Sequence, residues 1–176
     1  MFAFLQSRLG LDEFHQVLSK RSGRWYNACL RITRDAQLAE DAVQDALLKA
    51  WGQRDKFRGA ADLDTWIHRI ALNAAIDLLR RRHPVADEEA DPDLHAAPAQ
   101  NSPEQHFTRQ ALNGDLSLAM QRLTAMEREC FVLKHLEGWR LDEIADRQGS
   151  TVNNTKQALF RAVRKLRADM NVWRGE

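Results

Sequence analysis

The sequence predicts an all-α protein built of two small helical domains that are joined by a flexible acidic linker. Apolar residues recur at helical spacing in both halves of the chain, and no alternating apolar and polar pattern is long enough to predict a strand. A proline-containing segment with few large apolar residues interrupts the helical pattern. We therefore expect domains at residues 1–83 and 104–176, with the linker at residues 84–103.

Charge is distributed in three blocks that follow these boundaries approximately. The net charge of +1 conceals fourteen basic and ten acidic residues over 1–82, a net of +4. One basic and seven acidic residues over 83–118 give −6, and eleven basic and eight acidic residues over 119–176 give +3. All four prolines, at positions 84, 92, 98 and 103, lie in the acidic block. Two mildly basic domains are thus expected on either side of an acidic linker.

Three or four helical segments are predicted in the first domain, over residues 11–32, 36–53 and 64–82. We expect the first to break or bend near Ser22 and Gly23, since glycine disfavours a helix interior. Asp62 or Asp64 is the expected N-cap of the third helix. That helix carries an apolar stripe at i, i+4, i+7 and i+11, formed by Ile67, Ala71, Ala74 and Leu78.

Four helices are predicted in the second domain, over residues 102–123, 125–136, 141–148 and 154–167. Ser102 is the expected N-cap of the first of them, with Pro103 at its first helical position. The last two are separated by a glycine-containing turn over residues 149–153. Ala145 is small enough to let these two helices approach closely.

The last predicted helix is basic on one side and apolar on the other. Between residues 155 and 168 there is no Asp or Glu. Its apolar stripe is formed by Thr155, Leu159, Ala162, Leu166 and Met170. A short helix, a turn and a basic helix are the layout of a helix-turn-helix, whose second helix enters the DNA major groove. The alternative is a solvated basic helix in an ordinary bundle.

The composition argues against several other classes of protein. No run of 18 apolar residues predicts a membrane span, and the N-terminus lacks the basic start and long apolar core of a secretory signal. Cys29 and Cys130 are far apart among apolar residues, which favours buried free thiols and a cytoplasmic protein. The six histidines are scattered, and no nucleophile elbow, P-loop or HExxH motif is present. We therefore expect no metal, no cofactor and no catalytic residue.

Two features of the first domain suggest binding surfaces. A loop over residues 57–64 leads into a helix that places an aromatic, an amide and arginines near one face, namely Trp66, Arg69, Asn73 and Arg80, with Ile70 and Asp77 beside them. Such a combination suits single-stranded DNA, because arginines follow the backbone and an aromatic ring stacks on a base. The alternative is that Trp66 is a core residue and the arginines favour the helix C-terminus.

The second feature is the exposed face predicted for the helix over 36–53. It carries Asp41, Gln44, Asp45 and Leu48. This acidic and polar face is either merely solvated or a docking surface for a basic partner.

Three strings of residues resemble bacterial sigma factors of the sigma-70 family, specifically the extracytoplasmic-function (ECF) type. AEDAVQDALLKAW over 39–51 resembles the polymerase-binding helix of that family. FRG over 57–59, with TWIHRIALNAAID over 65–77, resembles its promoter-melting region. LEGWRLDEIA over 136–145 and LFRAVRKL over 159–166 resemble its C-terminal helix-turn-helix. The three strings occur in the family's order.

The resemblance implies a promoter-specificity subunit that is not itself an enzyme, acting in the cytoplasm on a stress or envelope-response regulon. Its partners would be core RNA polymerase, through the β′ clamp helices and the β flap, and promoter DNA, duplex at −35 and single-stranded at −10. An anti-sigma factor is a further expected partner. The acidic linker would pass toward the active-centre cleft of the polymerase.

The resemblance also assigns residues to each role. The docking residues for polymerase would be Asp41, Gln44, Asp45 and Leu48. Capture of a flipped −10 base would involve the loop with Phe57, Arg58 and Gly59, and nearby Trp66, Asn73 and Arg80. The −35 element would be contacted by Lys156, Gln157, Phe160, Arg161 and Arg164.

One departure from the family pattern falls in the recognition helix. Ala158 stands where the family often has an arginine, which predicts fewer backbone contacts to DNA there.

A stand-alone helix-turn-helix regulator of duplex DNA is the alternative to a sigma factor. In that case the first domain would serve dimerisation or effector binding, and the loop and the polar face would have no assigned role.

Overall fold

The computed structural model describes residues 10–57, 62–82 and 116–172. Every regular element in these ranges is helical, which confirms the predicted all-α class. The chain divides into two compact units, residues 1–87 and 88–176. The predicted linker lies outside the described residues, as do Ser102, Pro103 and most of the predicted helix over 102–123.

The first unit is a bundle of three helices, α1 (Leu11–Thr33), α2 (Ala36–Gly52) and α3 (Leu63–Arg82). Each helix packs against the other two. A single 3-10 turn, Arg54–Lys56, follows α2. The face of α2 that points into the bundle consists of alanines with no exposed surface, at positions 39, 42, 46 and 50. Because alanine side chains are short, α1 and α3 can pack closely on α2, and large side chains such as Trp25 and Ile67 fill the space between them.

The expected break in the first helix is wrong, because α1 runs without interruption through Gly23. A glycine inside a helix costs roughly 1 kcal/mol relative to alanine. Burial of Trp25, Cys29 and Ile32 in the following turns outweighs that cost, since each large apolar side chain contributes roughly 1.5–3 kcal/mol when it leaves water. The helix ends at Thr33, and the next residue, Arg34, has a left-handed backbone (φ 55°) and an N–H that donates to the Leu30 carbonyl.

The second unit contains α4 (Ala125–Phe131), α5 (Leu141–Gln148) and α6 (Val152–Val172). A 3-10 turn, Met120–Arg122, precedes α4, and a π-helical turn, Val132–Leu136, continues it. The N-terminus of α4 is closed by a capping box: Thr124 Oγ1 accepts from the Glu127 N–H (3.3 Å), while Glu127 Oε2 accepts from the Thr124 N–H (3.1 Å).

The turn between α5 and α6 has the geometry that a helix-turn-helix requires. Gly149 is left-handed (φ 63°), and the Ser150 N–H donates to the carbonyl of Ala145 (2.9 Å), which ends α5. Ala145 is 2% exposed where α5 meets α6, as its small size predicted. The turn is shorter than predicted, since α6 begins at Val152, and the helix continues five residues beyond the predicted end.

Candidate polymerase and nucleic-acid interfaces

The docking face, which we define as Asp41, Gln44, Asp45 and Leu48, lies on the side of α2 opposite its buried alanines. Leu48 is 73% exposed, more than any other large apolar side chain in the described residues. Gln44 is also exposed, and the two aspartates are half-buried. Asp41 Oδ1 accepts a hydrogen bond from Gln37 Nε2 (3.1 Å) one turn earlier. The structure thus brings all four residues onto one accessible surface.

The capture site, which we define as Phe57, Arg58, Gly59, Trp66, Asn73 and Arg80, is partly described. Arg58 and Gly59 lie outside the described residues. The rings of Phe57 and Trp66 are 5.2 Å apart between centroids, at 39° to each other. Both rings pack against the core of the first unit and remain partly accessible. Trp66 is thus partly a core residue, as one of the two interpretations expected, and keeps some exposed surface.

The remaining described residues of the capture site follow Trp66 along α3. Asn73 and Arg80 occur seven and fourteen positions after Trp66, so the three residues share one face of the helix. Both are half-buried. An aromatic edge, an amide and a guanidinium are therefore arranged in a row that leads away from the loop.

Of the two residues expected as the N-cap of α3, Asp62 occupies the position before the helix and Asp64 does not. Asp64 lies within the first turn of α3, and the first helical bond is made by the carbonyl of Asp62, which accepts from the Trp66 N–H (3.0 Å). The Asp64 carboxylate, 7% exposed, instead accepts from Trp25 Nε1 (2.7 Å) and Arg24 Nη1 (2.8 Å). Arg21 Nε lies 3.4 Å away. Asp64 thus ties α1 to the end of the loop, a role that sequence reasoning missed.

The readout face, which we define as Lys156, Gln157, Phe160, Arg161 and Arg164, lies on the first half of α6. The first four of these residues line a shallow surface depression of about 300 Å³. Phe160 is 67% exposed, and Lys156, Gln157 and Arg164 are exposed beside it. The opposite side of α6 is buried against α4 and α5 through Thr155, Ala158, Ala162 and Leu166. An exposed ring among basic and amide side chains is suited to the floor and edges of a DNA groove.

The interpretation of Ala158 as a lost DNA contact is corrected by its burial. Ala158 has no exposed surface, so its side chain faces the packing interface of α6 and not the readout face. Leu159, predicted to belong to the apolar stripe, is only half-buried. The helix is rotated slightly from the predicted orientation, because the stripe that packs runs through positions 155, 158, 162 and 166.

Glu127 is a buried acid that sequence analysis did not single out. Its side chain is 3% exposed, and its Oε2 accepts from Lys165 Nζ (2.7 Å) while Oε1 accepts from Arg161 Nε (3.3 Å). Burial by itself raises the pKa of this carboxyl, but the hydrogen bonds from Lys165, from the Thr124 N–H and from Arg161 hold the pKa below its ordinary value. The carboxylate therefore stays charged at neutral pH and links α4 to α6.

Both cysteines are buried free thiols, as predicted. Cys29 Sγ donates to the carbonyl of Ala71 (3.5 Å), and Cys130 Sγ lies 3.4 Å from Gln148 Oε1. Burial raises the pKa of the Cys130 thiol to about 11. Among the described residues, no three His, Cys, Asp or Glu side chains are grouped as metal ligands would be. No helix in the described ranges is both long and apolar enough to cross a membrane.

The first unit is a bundle of three helices with an exposed polar face, and the second contains a basic helix-turn-helix. This combination is typical of helical DNA-binding proteins that act in transcription. Residues 19–84 match the family described as Sigma-70 region 2, and residues 114–166 match Sigma-70, region 4. The chain belongs to the sigma-70 family of RNA polymerase sigma factors, in its ECF type.

Relatives along nearly the whole chain support this assignment. RNA polymerase sigma factor CarQ of Myxococcus xanthus is 30% identical over 156 residues, which cover 89% of this chain and 88% of CarQ. The RNA polymerase sigma-H factor of Pseudomonas aeruginosa is 32% identical over 157 residues, covering 85% of this chain and 81% of the relative. The sigma factor RpoE of Bartonella quintana, solved with the anti-sigma factor NepR, superposes with a TM-score of 0.57 at 25% identity, covering 92% of this chain and 99% of RpoE.

Proposed function

We propose that this sigma factor directs core RNA polymerase to promoters by contacting the enzyme and two DNA elements with three separate surfaces. The docking face binds the β′ clamp helices, the capture site holds an unpaired base of the −10 element, and the readout face contacts the −35 duplex. The observation that carries the proposal is that the described residues of all three sets are exposed or partly exposed and follow the family's order along the chain. In this assignment residues 1–83 form region 2, 84–103 the linker and 104–176 region 4.

The charge and exposure of the docking face suit a basic helical partner. The exposed Leu48 side chain is in water in the free protein, and a partner that buries it removes this unfavourable exposure. Asp41 and Asp45 flank Leu48 with negative charge. Burial of a leucine of this exposure contributes roughly 1.5–3 kcal/mol on association. The carboxylates add orientation and a faster encounter.

Promoter opening works through differential binding at the capture site. Unstacking a base costs a few kcal/mol. One stacking contact on the exposed edge of the Phe57 and Trp66 pair returns roughly 1–3 kcal/mol. Because duplex DNA offers no such base, capture favours the open strand, and the polymerase supplies the remaining energy. RNA synthesis is catalysed by the polymerase, so the sigma factor itself supplies no catalytic group.

Two further partners fit this function. The β flap of the polymerase would bind the second unit, and an anti-sigma factor would compete for the surfaces that bind polymerase. RpoE of Bartonella quintana was solved with such an anti-sigma factor. The complex would act in the cytoplasm, where the polymerase is found.

A stand-alone regulator does not account for the same observations. The relatives named above are sigma factors, and the match extends over the first unit as well as the helix-turn-helix. The exposed Leu48 and the partly open aromatic pair would then have no ligand.

The test is co-elution of the full chain with bacterial core RNA polymerase, followed by footprinting of the assembled complex on a genomic promoter pool. Co-elution with protection of paired −35 and −10 sites is the expected result. Free protein that ignores polymerase and protects duplex DNA alone would mean a conventional regulator.

Charge reversal tests the docking face. Asp41→Arg with Asp45→Arg is expected to reduce co-elution, because a basic partner would meet positive charge. The matched control is Asp12→Arg with Glu13→Arg, which makes the same charge change on exposed residues of α1. Undiminished co-elution of the first variant, or equal loss in both, would place the docking face elsewhere.

Alanine substitutions test the readout face. Phe160→Ala and Arg161→Ala are expected to weaken −35 protection, whereas Arg167→Ala, an exposed arginine of α6 outside the readout face, is the matched control. Full transcription from the recovered promoter by the Phe160 and Arg161 variants would refute the assignment.

A further inference from the structure

The Glu127 carboxylate bridges the start of α4 and the middle of α6. It accepts hydrogen bonds from three donors: the Thr124 N–H, Arg161 Nε and Lys165 Nζ. Arg161 and Lys165 are one helical turn apart, so a single carboxylate reaches both. The acid is buried, whereas the side chains of Arg161 and Lys165 are 49% and 38% exposed. The ion pairs therefore extend from the core of the unit to the edge of its readout face.

The contact with Arg161 engages one defined edge of the guanidinium. Glu127 accepts from Nε, and the terminal nitrogens are further donors that another acceptor can engage. Those nitrogens carry four of the five N–H donors of an arginine and can form a two-pronged contact with guanine O6 and N7. Arg161 also lines the depression shared with Lys156, Gln157 and Phe160. The same side chain therefore both contacts the buried carboxylate and lines this depression.

The contact with Lys165 has a different consequence. At 2.7 Å the ammonium is held by a buried carboxylate that also pairs with Arg161, so its position is fixed and its charge is partly offset. A lysine so engaged contributes less to neutralising DNA phosphates, the contribution that binds every sequence equally.

On the basis of the proposed −35 role of α6, we propose that Glu127 is a positioning residue for promoter specificity: it orients Arg161 toward a base edge and withholds Lys165 from the DNA backbone. An arginine held at Nε loses less rotamer freedom on binding a base, which strengthens the cognate contact. A lysine held away from phosphate weakens binding to all sequences. Both effects increase the ratio of specific to non-specific binding.

Glu127→Gln is the primary test, because glutamine keeps the shape and an acceptor oxygen for the Thr124 N–H while removing the charge. Holoenzyme is assembled from the full chain and core polymerase. Its affinity is measured for the promoter recovered above and for a set with single substitutions in the −35 element, over a range of salt concentrations. We expect discrimination at one −35 position to fall roughly tenfold, within the range of one bidentate side-chain contact to a base. The salt dependence should steepen by about 0.9, the value for one additional neutralised phosphate.

Two companion variants separate the two effects. Glu127→Gln combined with Lys165→Gln should restore the wild-type salt dependence and leave discrimination low, since Arg161 remains unanchored. Lys165→Gln alone should leave discrimination unchanged and should change the salt dependence by much less than one phosphate, because the ammonium is held at Glu127 and not at the DNA backbone. A merely structural role of Glu127 would lower affinity for all sequences and would not give this pattern.

Arg161→Lys keeps the proposal testable if the Glu127 variant does not fold, as judged by its thermal unfolding. Lysine keeps the charge but lacks the planar group that Glu127 holds, so discrimination should fall while the salt dependence stays the same. Asp146→Asn is the control for loss of an exposed carboxylate in the same unit, and its discrimination should match the wild type.

The outcomes distinguish this inference from the proposed function. If wild-type holoenzyme protects no −35 site, the proposed function fails. If it protects one and Glu127→Gln discriminates as well as wild type, the positioning role is overturned. A loss of one unit of salt dependence in Lys165→Gln alone would also overturn it, because Lys165 would then already contact phosphate.

Discussion

Removal of the Asp64 carboxylate is expected to destabilise the first unit by an amount that the structure allows us to estimate. Trp25 has no exposed surface, and its indole N–H donates to Asp64 Oδ1 at 2.7 Å. In Asp64→Ala that donor would be buried without an acceptor, at a cost of roughly 1–3 kcal/mol. Arg21 and Arg24 are more than half exposed, so water screens their ion pairs, which contribute roughly 0–1 kcal/mol each. The expected total is about 1–5 kcal/mol.

A loss of this size is a large part of the free energy of unfolding of a small domain, which is roughly 5–15 kcal/mol. Asp64→Asn should cost only about 1 kcal/mol, because the amide oxygen still accepts from the indole and only the charge is lost. Asp55→Ala is the matched control, since it removes an exposed carboxylate from the 3-10 turn before the same loop and should cost less than about 0.5 kcal/mol.

The assay is urea unfolding of the full chain followed by the indole proton–nitrogen resonance of Trp25. Each tryptophan gives its own indole resonance, so the first unit is followed independently of the second. Hydrogen exchange at the same indole should accelerate in Asp64→Ala. The reasoning would be refuted if this variant unfolded at the wild-type urea concentration with unchanged indole exchange. A double-mutant cycle with Trp25→Phe isolates the pair, because the cost of Asp64→Ala should be smaller when no indole N–H is present.

Three further predictions concern the second unit. Gly149→Ala should lower the free energy of unfolding of the second unit by roughly 1–2 kcal/mol. The cost comes from the left-handed backbone alone, since an added Cβ meets nothing within 4 Å. Gly149→Asn should cost less, and urea unfolding of both variants checks this. Native Cys130, with a pKa of about 11, should react with iodoacetamide at pH 8 far more slowly than in urea, and equal rates would contradict its burial. The pKa of Glu127 is lower in the folded state than its ordinary value of 4.5. Its ion pairs should therefore stabilise the unit fully above pH 4.5 and lose that contribution as the pH falls through the folded pKa. The urea midpoint of Glu127→Gln should accordingly vary less on acidification than that of wild type.

The helices and their inward faces could be predicted from the sequence because periodicity is a local property. The stripe through Ile67, Ala71 and Ala74 is buried as expected. The stripe in α6 was predicted less well, since Leu159 is half-buried and Ala158 is buried. Because alanine is small and only weakly apolar, the periodicity of α6 favours Leu159 over Ala158 as the packing residue.

The break expected at Gly23 shows how tertiary packing overrides local preference. Glycine propensity is a local cost of roughly 1 kcal/mol. The benefit of a continuous α1 comes from burial of Trp25 and Cys29 against α2 and α3, which are distant in sequence. Propensity alone contains no information about that benefit.

The roles assigned to the docking face, the capture site and the readout face remain predictions that the proposed experiments test. The structure places their described residues on accessible surfaces, and the family matches cover the segments that contain them.

The sequence by itself determined the all-α class, the helix-turn-helix, the family resemblance and the buried state of both cysteines, because these depend on residue types at short, regular spacings. Only the tertiary structure decided which charged groups are paired. Asp64 meets Trp25 across 39 positions, and Glu127 meets Arg161 and Lys165 across 34 and 38. A carboxylate that will be buried is indistinguishable in sequence from one that stays in water, since its environment is created only when distant helices pack together.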